Sequence, residues 1–269
     1  MFPGQCAGAR ATVIDMPFVK SDPSAAPMFF DWEAAGLEWL REAEPSGGAF
    51  CVEVLSVDPG RIELEEIEAV RPDPVAARAF GRALAATHDA GAAAFGAPPE
   101  GWDGPAYIGR RRMPCSPEES WGVFYAEQRV RPFLPVAVRA GSLSGSGAET
   151  VERALDRVVA GEFDGTEPPA RLHGDLWTGN VLWSASGAVL IDPAAHGGHR
   201  ETDLAMLALF GAPHLDEILR GYDESHALAD GWEERVALHQ LHPLAVHAAG
   251  HGPSYGGALV EAASRVLAL

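Results

Sequence analysis

R-L-H-G-D-L-W-T-G-N-V-L-W, residues Arg171–Trp183, and V-L-I-D-P-A, residues Val189–Ala194, are the stretch around which the rest of the chain can be read. Val181–Trp183 and Ala188–Ile191 are apolar runs on either side of Ser184-Ala185-Ser186-Gly187. That is the pattern of a β-hairpin, with Gly187 supplying the turn's unusual backbone angle. Such a hairpin returns Asp192 towards Asn180. Asp175 stands five residues before Asn180 on a Gly-bearing loop, so the stretch gathers a carboxylate, an amide and a second carboxylate.

Phosphoryl transfer needs such a set: a group that accepts or orients the proton of the attacking hydroxyl, and oxygen ligands for a Mg²⁺ ion that neutralises the phosphates. Asp175 suits the first role, and Asn180 and Asp192 suit the second. Any one of them alone could be a polar turn residue. The set at this spacing resembles the protein-kinase catalytic loop, in which an Asp is followed five residues later by an Asn and then by a metal-binding Asp.

The match extends through H-G-D-L-W-T-G-N, His173–Asn180, and D-P-A-A-H-G-G-H-R-E-T-D-L-A-M, Asp192–Met206. With Tyr107-Ile108-Gly109, the segment Ser120–Arg129 and the tail from Gly231 to Tyr255, nearly the whole chain resembles the fructosamine kinase family, part of the aminoglycoside-phosphotransferase-like kinases. The resemblance implies an α+β, protein-kinase-like two-lobe fold. Residues 1–68 would form a small, shortened, β-rich ATP-binding lobe, and residues 69–269 a larger, mostly helical catalytic lobe. It also implies ATP and Mg²⁺ as cofactors, and ATP-dependent phosphorylation of a ketosamine at its sugar 3-hydroxyl. A kinase for an aminoglycoside or amino alcohol would share the same residues. A nucleotide-binding module with little catalysis is the reading from another class, and retention of lysine, base and metal ligands together argues against it.

Composition agrees. At 269 residues, 47% hydrophobic and 22% charged, the chain is globular and near the size at which one core divides into two. No apolar run of about 18 residues is available to span a bilayer, and no secretory leader opens the sequence, so a soluble, cytoplasmic protein, monomeric or homodimeric, is expected. The net charge of −18 opposes a nucleic-acid partner and favours a cationic or neutral small-molecule substrate. Cys6, Cys51 and Cys115 are widely separated and are read as free thiols. Cys6 stands in Gly4-Gln5-Cys6-Ala7-Gly8, which resembles the cysteine-bearing phosphate loop of some fructosamine kinases and implies a redox-sensitive thiol able to join a second subunit.

Lys20 is the only lysine beside 19 arginines. A compact point charge on a flexible stem fits a phosphate pocket differently from a planar guanidinium, so this position is expected to be one arginine cannot fill. Phe18-Val19-Lys20 reads as a strand end, and Gly4 and Gly8 as a shortened nucleotide loop. Phe29, Phe30, Ala34, Leu37 and Leu40 recur at steps of three and four, marking an amphipathic helix over Pro27–Arg41. Glu33 matches the family's partner for the lysine; Glu38 is the other candidate. Strands are expected over Phe50–Val57 and Arg61–Ile67, and the resemblance makes Glu65, Glu66 and Ile67 the hinge whose backbone meets the adenine edge.

Asp73-Pro74 reads as the N-cap and first position of a helix running to Gly91. Ser116-Pro117-Glu118-Glu119 reads as a capping box for a helix bearing Trp121, Phe124, Tyr125 and Gln128. Gly141–Gly147 reads as a connector, and helices are expected over Glu149–Ala160, Glu201–Phe210, Pro213–Tyr222, Trp232–His247 and Tyr255–Leu269. His239, His242, His247 and His251 step by three, five and four with no Cys or carboxylate to complete a metal set, so packing or surface roles are expected. His173 is expected to hold the loop backbone and Asp203 to brace it. The resemblance places His199, Arg200 and Glu201 close to the active site, with His199 and Glu201 as substrate candidates. Trp177, two residues after Asp175, is either a core indole or, as the resemblance favours, a face against which the sugar stacks. Arg110-Arg111-Arg112 departs from the Gln- or Asn-containing turn that many relatives carry near the substrate.

Overall fold

The computed structural model describes residues 16–269, so Gly4, Cys6 and Gly8 lie outside the described residues. A three-stranded antiparallel sheet comes first, with order β1-β4-β3. It comprises β1 (Phe18–Ser21), β3 (Val54–Asp58) and β4 (Arg61–Leu64), with α1 (Phe29–Arg41) and the short β2 (Phe50–Cys51) between β1 and β3. The register pairs Lys20 with Ile62 on the central strand. Phe30, Ala34, Leu37 and Leu40 are the buried stripe that the helical spacing predicts, and α1 lays it against the sheet.

The strand expected over Phe50–Val57 is broken. Residues Phe50–Cys51 leave the small sheet and pair in parallel with the later strand Gly187–Leu190, and Val52 N–H donates to Leu190 O at 3.0 Å. The strand expected to reach Ile67 ends at Leu64.

The rest is mainly helical. α2 (Pro74–Asp89) starts as expected, the Asp73 carboxylate accepting from Val75 N and Ala76 N at 2.8 and 2.9 Å. A hairpin of β5 (Tyr107–Ile108) and β6 (Arg111–Arg112) follows. Next come α3 (Trp121–Phe124), which continues as a π-helical turn over Tyr125–Val130, then α4 (Leu134–Arg139) and α5 (Gly145–Val159). Ser116 does not cap α3: its N–H and C=O are both bonded to the Gln128 amide, and Ser120 is the N-cap instead. Likewise Ser144 caps α5, so the end of the expected connector is helical.

β7 (Ala170–Leu172), β8 (Val181–Ser184), β9 (Gly187–Leu190) and β10 (His196–Gly198) frame the central stretch, and α6 (Glu201–Leu209), α7 (Leu215–Ser225), α8 (Trp232–His239), α9 (Leu241–Ala248) and α10 (Pro253–Val266) complete the order. The helix expected over Trp232–His247 divides at Gln240. Pro243 has no N–H to offer the preceding turn, and the Tyr125 hydroxyl donates to the freed carbonyls of Leu238 and His239, each at 2.9 Å.

Two cores result. One joins α3, α5, α8, α9 and α10; the other runs from α1 and the small sheet through Phe80, Trp183, Leu190 and Leu204, drawing on both sides of residue 68. Within the second, α2 and α7 approach until their backbones touch: a Cβ on Gly81 would stand 1.9 Å from Ile218 O, and one on Gly221 2.0 Å from Arg78 O.

Candidate active site

The hairpin forms as the sequence implies, Val181 pairing with Leu190 and Ser184 with Gly187, whose φ is 125°. It brings Asp192 back to Asn180, whose Nδ2 donates to Asp175 O at 2.8 Å, to Asp192 O at 3.3 Å and to Asp175 Oδ2 at 3.4 Å. One amide therefore ties the two carboxylate-bearing loops, and its Oδ1 takes no protein partner among the described residues.

The loop itself is braced from beneath. Buried Asp203 accepts from His173 N at 2.8 Å and Gly174 N at 3.0 Å, and His88 Nε2 stands 3.3 Å away. Burial alone would raise the Asp203 pKa, but the His88 hydrogen bond and the nearby imidazoles hold it below the usual carboxylate range. Asp175 N–H donates to His173 Nδ1 at 3.2 Å, which leaves the proton on Nε2, and Nε2–H donates to Ile191 O at 2.9 Å. His173 thus staples the loop to the hairpin. Asp192 carries a strained, left-handed φ of 54°. A non-glycine residue held there is a costly placement that clusters at functional sites.

Lys20 Nζ donates to Glu33 Oε1 at 2.7 Å and also meets Asp192 Oδ1. Glu33 is buried and Glu38 is exposed, which decides between the two candidates. Close packing sets the distance between α1 and the Asp192 segment, because a Cβ on Gly36 would lie only 3.1 Å from the Pro193 ring.

Lys20, Glu33, Asp175, Trp177, Asn180 and Asp192 line one cavity of about 320 Å³, walled by Phe29, Trp32 and Tyr107. Trp177 is 39% exposed, so it is not a core residue. Its ring lies over Gly179 and meets Phe210 edge-on at 6.1 Å. Loss of solvent around the Asp175 carboxyl, and secondarily the charge of Asp203, push its pKa up to about 7. A carboxylate poised there can take a proton near neutral pH. Asn180 and Asp192 offer an amide and a carboxylate oxygen, a hard donor pair suited to Mg²⁺, and Lys20 Nζ is the partner of Asp192 Oδ1.

Other residues singled out in the sequence fall elsewhere. Glu65, Glu66 and Ile67 line another concavity of about 640 Å³ with Phe50 and Val189, one that shares no lining residue with the cleft. Glu65 N–H is taken by Glu53 O at 2.9 Å, while Ile67 N–H has no partner among the described residues. His199 and Glu201 are not brought into the cleft. His199 lines a separate cavity of about 480 Å³ with Phe163, Glu167 and Arg235. Burial first, and His239 second, push its pKa down to about 3.

Glu201 is buried, and Arg235 donates to its two oxygens at 2.6 and 2.9 Å. Burial would raise its pKa, but hydrogen bonds from His239 and Arg235 take it down to about 2. Arg200 is held by Glu167 at 2.6 Å and Asp89 at 3.0 Å. The G-H-R-E segment therefore anchors helices. His199, Glu201 and His239 place three ligand-type atoms within 4.8 Å of one another, a carboxylate that spacing along the helix could not reveal. The Arg235 guanidinium already balances that carboxylate. The cleft wall of Phe29, Trp32 and Tyr107 is what the sequence reading missed; Trp32 Nε1 donates to Tyr107 O at 2.9 Å, a contact that no local spacing encodes.

A small sheet and braced lysine facing a carboxylate-bearing loop and hairpin belong to a phosphotransferase of the protein-kinase-like class. Residues 8–268 match the fructosamine kinase family. The chain is 45% identical to a Thermobifida fusca protein whose crystal structure is described as a "putative fructosamine-3-kinase", with a TM-score of 0.85 over 94% of this chain and 86% of that one. It is 30% identical over 250 residues to a "Probable ketoamine kinase" of Enterococcus faecium, covering 89% of this chain and 83% of the relative. A microcompartment-associated aminopropanol kinase, 17% identical with a TM-score of 0.55 over 93% of this chain and 83% of that one, shares the fold. The chain belongs to the fructosamine kinase family, and membership carries ATP as the phosphoryl donor. No helix among the described residues is long and apolar enough to cross a membrane.

Proposed function

We propose that the protein transfers the γ-phosphoryl group of ATP to the sugar 3-hydroxyl of a ketoamine, the rearranged adduct of a reducing sugar and an amine. The observation that carries this reading is the convergence of Lys20, Glu33, Asp175, Asn180, Asp192 and Trp177 on one cavity, in a chain of this family. Asp175 accepts or orients the proton of the attacking hydroxyl. Its raised pKa keeps the carboxyl from being permanently ionised; Asn180 donates to the carboxylate, and His173 accepts from the Asp175 backbone N–H. Lys20, aimed by Glu33, takes the phosphate oxygens; on ATP binding it would exchange its contact with Asp192 for one with the nucleotide.

Asn180 Oδ1 and the Asp192 carboxylate would hold Mg²⁺, which when bound screens phosphate charge. Residues up to about 68 form the nucleotide-side lobe, with the free Ile67 N–H and the Glu65–Glu66 carbonyls facing the adenine edge. The Trp177 indole covers the apolar face of the sugar. His199 and Glu201 have no substrate role in this reading, and a cytoplasmic setting suits an ATP-consuming enzyme.

Coupled ADP release, measured across ketoamines, aminoglycosides and amino alcohols, tests the assignment. Turnover confined to ketoamines is expected. Turnover confined to either other class contradicts it, as does ATP binding without turnover of any acceptor.

A further inference from the structure

Arg110, Arg111 and Arg112 are three consecutive cations in a chain where 38 acidic residues outnumber 20 basic ones. They occupy the turn and second strand of the β5–β6 hairpin. Ile108 pairs with Arg111, so the turn is Gly109-Arg110, with Gly109 at a φ of 48°. Gly109 lines the same cavity as Asp175 and Trp177. Arg110 borders an adjoining pocket of about 240 Å³ that shares Phe29 with the first, and pairs with Asp22 at 2.8 Å.

Neither Arg111 nor Arg112 forms an ion pair among the described residues. Arg111 Nη2 donates to Ala249 O at 2.6 Å, which fixes the guanidinium without neutralising it. The exposed Arg112 lies over the Tyr107 ring at 5.2 Å, and Tyr107 is a cleft wall.

A row of rings leads away from Trp177. Trp177 meets Phe210, Phe210 meets His247 at 4.9 Å, and His247 meets Tyr255 at 5.0 Å. Ala249, to which Arg111 is bonded, stands two residues after His247. The hairpin therefore sets the Arg112 guanidinium over a wall of the cleft and the Arg111 guanidinium beside the outer end of an aromatic path that begins at Trp177, neither of them neutralised.

We propose that this hairpin recognises an anionic group on the ketoamine, so that the preferred acceptors are ketoamines bearing a carboxylate or a phosphate rather than the cationic or neutral ones that the overall charge of −18 favours. The inference rests on the ketoamine-kinase reading. Guanidinium is suited to both anions because its planar fork can meet two oxygens at once. A carboxylate would come from the amine-derived end, as in the adduct of an amino acid. A phosphate would come from the sugar end.

The test compares kcat/KM for the fructose adduct of glycine, the fructose adduct of ethanolamine, and the 6-phosphate of the ethanolamine adduct. These are measured in the parent, in Arg112→Gln and in Arg111→Gln/Arg112→Gln. A glutamine at 111 keeps an amide donor for Ala249 O, and melting curves confirm folding. One lost charge-assisted contact is worth about tenfold. At least one acceptor bearing a carboxylate or phosphate should exceed the ethanolamine adduct, which bears neither, by about tenfold or more. That ratio should fall about tenfold in the double variant and shrink with added salt, while the KM for ATP holds.

Preference for the glycine adduct alone assigns the amine end; preference for the 6-phosphate alone assigns the sugar end. Equal use of all three acceptors overturns the proposal, as does a ratio unchanged by the substitutions or a rise in the KM for ATP instead. If none of the three is phosphorylated, the ketoamine-kinase reading fails and this proposal with it.

Discussion

Replacing Asp175 with asparagine removes the proposed base while keeping the side chain's size and its place beside Asn180. Positioned general-base catalysis contributes roughly 10² to 10⁴ fold, or about 2.7 to 5.5 kcal/mol of barrier, and turnover of the variant should fall by that factor. The pKa of about 7 adds a second signature. In the parent, kcat/KM for the ketoamine should drop about tenfold per pH unit below 7 and level off above about 8; in Asp175→Asn that limb should be absent.

Stability should move in the opposite sense. The folded chain holds this proton more tightly than the unfolded chain, whose aspartates titrate near ~3.9. The associated stability is fully present below that value and is lost as pH rises through about 7. The melting temperature of Asp175→Asn relative to the parent should therefore climb between pH 4 and pH 7. Coupled ADP release from pH 5.5 to 9 and melting curves from pH 4 to 9 read the two effects. A variant with the parent's turnover, or one with lower turnover and an unchanged acid limb, refutes the assignment of Asp175 as base.

Lys20→Ala should lower kcat/KM for ATP by about 10² to 10³ fold, the usual cost of removing one preorganised contact to developing charge; an unaltered value would detach Lys20 from the phosphates. Trp177→Ala should raise the ketoamine KM by an amount equivalent to about 0.5 to 2 kcal/mol, with ATP binding and kcat near those of the parent, the signature of lost uniform binding. A lower kcat at constant KM would instead make the indole a transition-state contact. Gly221→Ala should destabilise despite alanine's better helix propensity, because its Cβ would stand 2.0 Å from Arg78 O, and forced overpacking costs about 1 to 3 kcal/mol. A rise in melting temperature would show that α2 and α7 can part without cost.

How much of this is legible in the sequence depends on how locally each feature is encoded. The hairpin between Asn180 and Asp192 is written in two apolar runs and one glycine, and it forms as read. The Asp73 cap and the stripe of α1 are equally local. The division at Gln240 is not, because Pro243 permits it only where Tyr125, more than a hundred residues away, satisfies the exposed carbonyls. Ser116 shows the same limit: its capping-box pattern is sound locally, but the distant-in-turn Gln128 amide takes its backbone groups and Ser120 starts the helix. In the site, Asp175, Asn180 and Asp192 were legible from the loop and hairpin that gather them. For His199 and Glu201 the family resemblance pointed to the active site, whereas the structure sets them in the Arg235 cluster beside a separate cavity.

The central claim concerns which oxygen receives the phosphate. The direct measurement is two-dimensional ¹H–³¹P NMR of the product formed from ATP, Mg²⁺ and a fructose-derived ketoamine. The account predicts one phosphorus resonance coupled to the proton on sugar carbon 3, absent when Asp175→Asn replaces the parent enzyme. Coupling to a proton on any other sugar carbon, or ATP consumed with the ketoamine recovered unchanged, would contradict it.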